Sequence, residues 1–309
     1  MQLKHLEFHT SDGLDLPGLL YEPDQRTDKV AILLHGNGSS SIFYSPNFGA
    51  TYAKYLNENG IAYFPFNNRG AHIIKKLNKT INGETQRLKY GCAYELIKEC
   101  IFDIDGAIEF LKTLGYKTFY LIGASTGANK ICVYNYYKPE NPVSKYVFIG
   151  GGDDSGFTYS QVGKEKFELI LKECQQKIKE GKGMHLAPEE WMGFYSYQSV
   201  FDTLNPDGDY NIFPYYESLN NLRISTKELF REFKSINKPT QVLYGESDEY
   251  CYGRVREIVE KLKTITPHPD KLTFDILPEC DHGFYGKEEV FLKLLLNGWL
   301  NKYDQKNYT

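Results

Sequence analysis

Short continuous apolar runs and three-to-four-residue apolar periodicities take turns along this chain, and each pattern points to its own kind of element. Residues 3–9 and 14–20 flank Ser11-Asp12-Gly13, whose Asp-Gly step is a hairpin signal, so two antiparallel strands are expected there. Val30-Ala31-Ile32-Leu33-Leu34 is apolar throughout, as a strand buried on both faces must be. A helix over 48–59, closed by Gly60, and a strand over 61–66 follow. Leu96, Ile97, Ile101, Ile104, Ile108 and Leu111 recur at three- and four-residue steps, which predicts one helix over 94–114 ended by Gly115. Next come a strand over 116–122, a helix over 126–137 and a strand over 145–149.

The alternation then breaks. From about 153 to 233 the pattern is helical or irregular and dense in aromatics. An amphipathic helix over 164–180 is stopped by Gly181, Pro188-Glu189-Glu190-Trp191 reads as a helix start, and Ser225-Thr226-Lys227-Glu228 fits a capping box for a last helix. Strand 240–244, helix 254–263, strand 272–277 and helix 287–300 resume the alternation, and the polar end from Lys302 is expected to fray. Such an order predicts an α/β fold with a mostly parallel central sheet flanked by helices. Because sheet strands lie on both sides of the break, 153–235 is expected to be an inserted helical cap on a core made of 1–152 and 236–309.

Composition removes several function classes. Lys+Arg of 36 against Asp+Glu of 40 gives a net charge of −4, with no basic excess to suggest nucleic-acid binding. No apolar run reaches the ~18 residues of a membrane span. Met1-Gln2-Leu3-Lys4-His5 lacks the apolar stretch of a signal peptide. The cysteines at 92, 100, 132, 174, 251 and 280 have neither metal-like nor disulfide-framework spacing, so they are expected to be reduced packing groups in a cytoplasmic protein. There is no nucleotide-binding glycine motif, and no cofactor is expected.

The chemistry centres on Gly123-Ala124-Ser125-Thr126-Gly127, between the apolar run 118–122 and the helix that follows. A serine with glycine at −2 and +2 fits a sharp strand-to-helix turn that projects the hydroxyl. That hydroxyl is a poor nucleophile until a base takes its proton, and the base must itself be oriented. In an alternating α/β sheet, functional groups collect in loops beyond the carboxyl ends of strands. His282, in Cys280-Asp281-His282-Gly283-Phe284, follows the last expected strand; Asp248, in Gly245-Glu246-Ser247-Asp248, follows the one before it. The order is Ser125, Asp248, His282.

On these residues the chain resembles the α/β-hydrolase superfamily over nearly its whole length. His35-Gly36-Asn37-Gly38 resembles that family's oxyanion motif, 123–127 its nucleophile elbow, 245–248 its acid loop and Asp281-His282 its histidine loop. The resemblance implies that Ser125 attacks a carbonyl, His282 acts as base and then acid, and Asp248 orients the imidazole. It further implies that the backbone N–H groups of Thr126 and Asn37 bind the oxyanion. Asp153 and Asp154, after an earlier strand, and Glu246 compete for the acid's role, since some members take the acid from that earlier loop. Asn67-Asn68-Arg69-Gly70 is similar to a structural Asp-x-Arg-Gly loop of the family, with asparagine at its first position. The 71–91 stretch after it is long and polar enough to flank a pocket. A narrower resemblance, on Tyr94-Glu95 with Asp103-Ile104-Asp105-Gly106-Ala107, is to an uncharacterised branch that includes siderophore-esterase-like proteins; it implies no substrate.

Other features favour plainer roles. His35, at the end of a buried strand, is expected to hold the oxyanion loop by hydrogen bonds. The Asp153-Asp154 pair lacks the spaced His or Glu partners of a metal site, so no metal is expected. Asn205-Pro206-Asp207-Gly208-Asp209 lacks the full calcium-loop pattern and reads as a surface turn. Most aromatics of the cap are expected to pack it onto the sheet, with a few lining a pocket. The expected activity is cleavage of a small carboxylic ester through an acyl-enzyme. A peptidase, amidase or thioesterase on the same groups, or a non-catalytic binding module, are the alternatives.

Overall fold

In the computed structural model, which describes residues 1–43 and 49–295, the alternation becomes an eight-stranded sheet. The opening hairpin is β1 (Gln2–His9) and β2 (Asp15–Glu22), paired antiparallel. Then come β3 (Lys29–Leu34), α1 (Ala50–Glu58) and β4 (Ala62–Pro65). A separate two-stranded ribbon, β5 (Lys75–Ile81) and β6 (Glu84–Tyr90), precedes α2 (Cys100–Thr113), β7 (Thr118–Ala124), α3 (Thr126–Tyr137) and β8 (Val143–Ile149). Helices α4 (Asp154–Lys179), α5 (Glu189–Met192), α6 (Tyr197–Leu204), α7 (Tyr215–Leu219) and α8 (Arg231–Lys234) follow without joining the sheet. The chain closes with β9 (Thr240–Gly245), α9 (Val255–Ile265), β10 (Leu272–Leu277) and α10 (Glu288–Leu295). The expected helix start at Phe48, the helix end at 296–300 and the fraying end from Lys302 lie outside the described residues.

Strand order is β1-β2-β4-β3-β7-β8-β9-β10, antiparallel at β1-β2-β4 and parallel from β4 onward. Because side chains alternate along a strand, the all-apolar β3 feeds two cores at once. Val30, Ile32 and Leu34 pack with Ile104 and Ile108 of α2, Ile131 of α3 and Ile258 of α9. Ala31 and Leu33 pack with Tyr52 and Leu56 of α1 and with Phe291 and Leu292 of α10. Helices thus cover both faces, the arrangement that lets a parallel sheet bury its strands. Among the described residues no helix is long and apolar enough to cross a membrane.

Between β8 and β9 the chain does two things. Phe167, Ile170, Cys174, Ala187, Val200 and Leu204, from α4 through α6, make a small core of their own. Tyr210, Ile212, Phe213, Tyr215, Phe230 and Phe233 instead join the main core on the α3 side of the sheet.

Three local expectations are corrected. The helix expected over 94–114 begins only at Cys100, after two short 3-10 turns at Cys92–Tyr94 and Ile97–Glu99. Partners from α6 replace helical bonding there: Ser199 Oγ donates to the carbonyls of Cys92 and Glu95, and Asp202 Oδ2 accepts the Ile97 N–H at 2.8 Å. Stretch 71–91 does not line the cavity described below; it is the β5–β6 ribbon, turned at Asn82-Gly83 with φ 52° and 83° and bonded to the β1–β2 turn through Thr80 N–H to Gly13 O at 2.8 Å. Ser225-Thr226-Lys227-Glu228 caps no helix. Ser225 Oγ and N–H both go to Glu217, and the amides of Thr226 and Lys227 donate to Asp207 at 2.6 and 2.8 Å, which fastens the 205–209 turn instead.

Candidate active site

β7 delivers Ser125 at its carboxyl end and α3 leaves at Thr126, so the turn between them has no length to spare. Ser125 takes up the whole reversal in its own backbone, with φ 54° and ψ −124°, a conformation costing about 1–3 kcal/mol for a side chain with Cβ. Hydrogen bonds hold it there: Ser125 N–H donates to Ile149 O of β8 at 2.7 Å, and its carbonyl accepts from Ala128 N–H at 2.9 Å. The flanking glycines are required by close approach. A Cβ on Gly123 would collide with the backbone of Gly127 and Ala128, and one on Gly127 with the carbonyl of Leu34. A Cβ on Gly36, in the loop after β3, would stand 2.9 Å from Ser125 Cβ.

The loops after β9 and β10 are laced together by Glu246 N–H to Leu277 O and Ser247 N–H to Cys280 O, each 2.8 Å. That lacing brings Asp248 and His282 into register. Asp248 is buried; its Oδ2 accepts from His282 Nδ1 at 2.8 Å, and its Oδ1 accepts from Tyr250 N–H at 3.0 Å. His282 also donates its backbone N–H to Glu249 Oε2 at 3.2 Å and packs edge-to-face with the Tyr250 ring at 4.8 Å between centroids. Burial alone would push the imidazole down, but the hydrogen bond and charge of Asp248, aided by Glu249 and Asp154, bring it above its ordinary 6.5.

Ser125 and His282 line one cavity of about 600 Å³, together with Asn37, Thr126, Asp154, Trp191 and Tyr250. Ser125 Oγ makes no hydrogen bond to the imidazole, although both groups line the same wall. The backbone N–H groups of Asn37 and Thr126 have no acceptor among the described residues, Thr126 because the first amides of a helix have no intrahelical partner. They stand beside Ser125 in the same wall.

None of the competing acids is hydrogen-bonded to the His282 imidazole. Asp153 is buried and caps α4, accepting from Gly156 N–H at 2.8 Å, Tyr216 N–H at 2.7 Å and Tyr252 Oη at 3.2 Å. Glu246 is paired with Arg256 at 2.5 Å on the surface. Asp154 lines the cavity but makes no hydrogen bond to His282. His35 is buried with Nδ1 2.8 Å from Gly36 O, and its burial with the charge of Lys130 nearby keeps it neutral. Arg69 is fully buried and bound to Asp12, Glu99 and Asp103 at 2.9, 3.2 and 2.8 Å, a structural knot away from the cavity. Asn67 Oδ1 accepts the amides of Ser41 and Ile42 at 2.8 and 3.1 Å, so asparagine serves at the head of that loop.

Residues 90–298 match the family model described as "Protein of unknown function (DUF1749)", a span of more than half the chain. The chain belongs to this family. No curated protein matches it. Among solved structures, the α/β hydrolase GrgF from Penicillium sp. sh18 is similar with a TM-score of 0.62 at 16% identity, covering 96% of this chain and 97% of that one. An esterase from Pyrococcus furiosus gives 0.56 at 18% identity, with 96% and 91% covered. The carboxylesterase CesB from Bacillus subtilis gives 0.53 at 17% identity, with 97% and 92% covered. This DUF1749 chain therefore has the α/β-hydrolase fold.

Several cavity residues were not singled out by sequence: Phe157, Met192, Tyr250 and Tyr285. Tyr250 carried a signal, since it stands two residues after the acid; the others lie in stretches whose approach to the sheet is set by tertiary packing.

Proposed function

We propose that this chain is a serine hydrolase that cleaves a carboxylic ester through a covalent acyl-enzyme. The observation that carries the reading is the left-handed backbone of Ser125 at a strand-to-helix turn, facing the cavity that His282, held by the buried Asp248, also lines. Few reasons other than display of the hydroxyl account for holding a serine in that conformation.

In this reading His282 Nε2 takes the Ser125 proton as Oγ attacks the ester carbonyl, and Asp248 holds the imidazole by its Nδ1 and stabilises the cation that forms. The free amides of Thr126 and Asn37 receive the oxyanion. His282 then protonates the leaving alcohol, and water, activated by the same imidazole, releases the acid. The hydrogen bond from Oγ to the imidazole forms on substrate binding, as catalytic hydrogen bonds commonly do. Residues 153–235 serve as a cap over the site, contributing Asp154, Phe157, Trp191, Met192 and Tyr195 to its wall. The six free, buried cysteines support a reducing, cytoplasmic setting.

Replacement Ser125→Ala tests the assignment. Turnover of short p-nitrophenyl esters should fall at least about 1,000-fold, and covalent labelling by a fluorophosphonate should vanish, while the melting curve stays cooperative. Turnover that survives in the folded variant refutes the reading.

A further inference from the structure

The cavity wall carries a carboxylate that takes no part in the reaction above beyond its charge near His282. Asp153 and Asp154 stand side by side at the start of α4, yet their surroundings differ. The Asp153 carboxylate is taken up by two backbone amides and a tyrosine hydroxyl. Asp154 has no ion pair and no hydrogen bond from another residue among the described residues, and it lines the cavity. An acid in the first turn suits the helix dipole, which accounts for an aspartate here but not for what surrounds it.

Two further features of the cavity agree with a single ligand charge. Among the described residues that line it the ionisable groups are Asp153, Asp154 and His282, beside tyrosines, with no lysine or arginine. Its broad surfaces are aromatic: Phe157, Trp191, Tyr195, Tyr250 and Tyr285. Ring faces attract cations, the more so away from bulk water, and a carboxylate among them adds a counter-charge. We propose that Asp154 with the rings of Trp191 and Tyr195 forms a subsite for a positively charged group, and that the substrate is an ester carrying an ammonium. The proposal rests on the hydrolase reading of the same cavity. Burial raises the Asp154 carboxyl to about 6, and a cation set against it would relieve that penalty.

Matched ester pairs test it. Butyrylcholine and its carbon isostere dimethylbutyl butyrate place the charge on the alcohol; p-nitrophenyl esters of a trimethylammonio acid and its tert-butyl isostere place it on the acyl side. The enzyme should favour the charged member of at least one pair by about tenfold in kcat/KM, the size expected where an ammonium meets ring faces and a carboxylate. Asp154→Asn should bring that ratio close to unity, and Trp191→Leu, a variant that leaves the α4 terminus alone, should narrow it. Equal or better use of the neutral member in both pairs overturns the subsite, as does a ratio that survives in Asp154→Asn. Calorimetric binding of the same esters to Ser125→Ala protein separates the two claims. A charge preference there that disappears in Ser125→Ala/Asp154→Asn, with neither ester hydrolysed by the unmutated enzyme, sustains the subsite and refutes the hydrolase reading. Hydrolysis without charge preference refutes the subsite alone, and neither binding nor hydrolysis of any member also refutes it.

Discussion

His282 is pulled in opposite directions by its surroundings. Burial favours the neutral ring, while the hydrogen bond and charge of Asp248, with Glu249 and Asp154 behind it, favour the cation and win. In the proposed mechanism His282 is a general base, which works only when neutral, so the sign of the pH dependence follows. Activity should rise with pH through an apparent pKa above 6.5 and be lost as pH falls through it. Asp248→Asn removes the charge that raises that pKa, so the limb should move to lower pH, and kcat should drop by about 10,000-fold because the tautomer is no longer held. A pH–rate profile of both proteins checks the two effects together. Ser125, Asp248 and His282 stand out as candidates in sequence because each follows a strand and their order is distinctive. The choice between Asp153 and Asp154 could not. Adjacent aspartates differ here because Tyr216 and Tyr252, some 60 and 100 residues on, bind only the first.

Arg69 shows how the loop after β4 is fixed to its neighbours. Its guanidinium joins Asp12 in the β1–β2 turn to Glu99 and Asp103 at the start of α2, wholly out of water. Arg69→Ala leaves a buried Asp103 without its counter-charge, so the fold should lose about 3–5 kcal/mol, read as the shift of the urea midpoint at constant slope. Strands and helices of the sheet were legible from apolar period alone, and α3 and β10 lie where that period puts them. The β5–β6 ribbon is not evident in sequence although Asn82-Gly83 is a hairpin signal, because its core-facing side carries little more than Leu77 and Leu88, too few apolar residues to show a period. The 94–114 periodicity was over-read for a different reason. Local pattern cannot reveal that Ser199 and Asp202, a hundred residues later, capture the backbone groups a helical turn would have used.

For the molecule as a whole, the sheet is continuous although the chain that makes it is not. β8 pairs directly with β9, Tyr146 opposite Thr240, across more than ninety residues of intervening chain. The inner division of that excursion is not legible in sequence, since burial of Tyr210, Phe213 and Tyr215 in the main core depends on where the chain returns. The cysteines report on the same compactness. All six are buried and unpaired, and burial raises the Cys174 and Cys280 thiols to about 12 and 11. Folded protein at neutral pH should therefore resist Ellman's reagent for hours, while guanidinium-unfolded protein should titrate six thiols at once.

The turn at Gly181-Lys182, exposed between α4 and the rest of the excursion, divides the chain in an unequal way. Everything before it contains the candidate nucleophile; everything after it contains the candidate acid and base. A break at that turn would leave neither piece able to hydrolyse an ester. Activity recovered on mixing the two pieces would then measure, molecule by molecule, how often β9 had found β8 again.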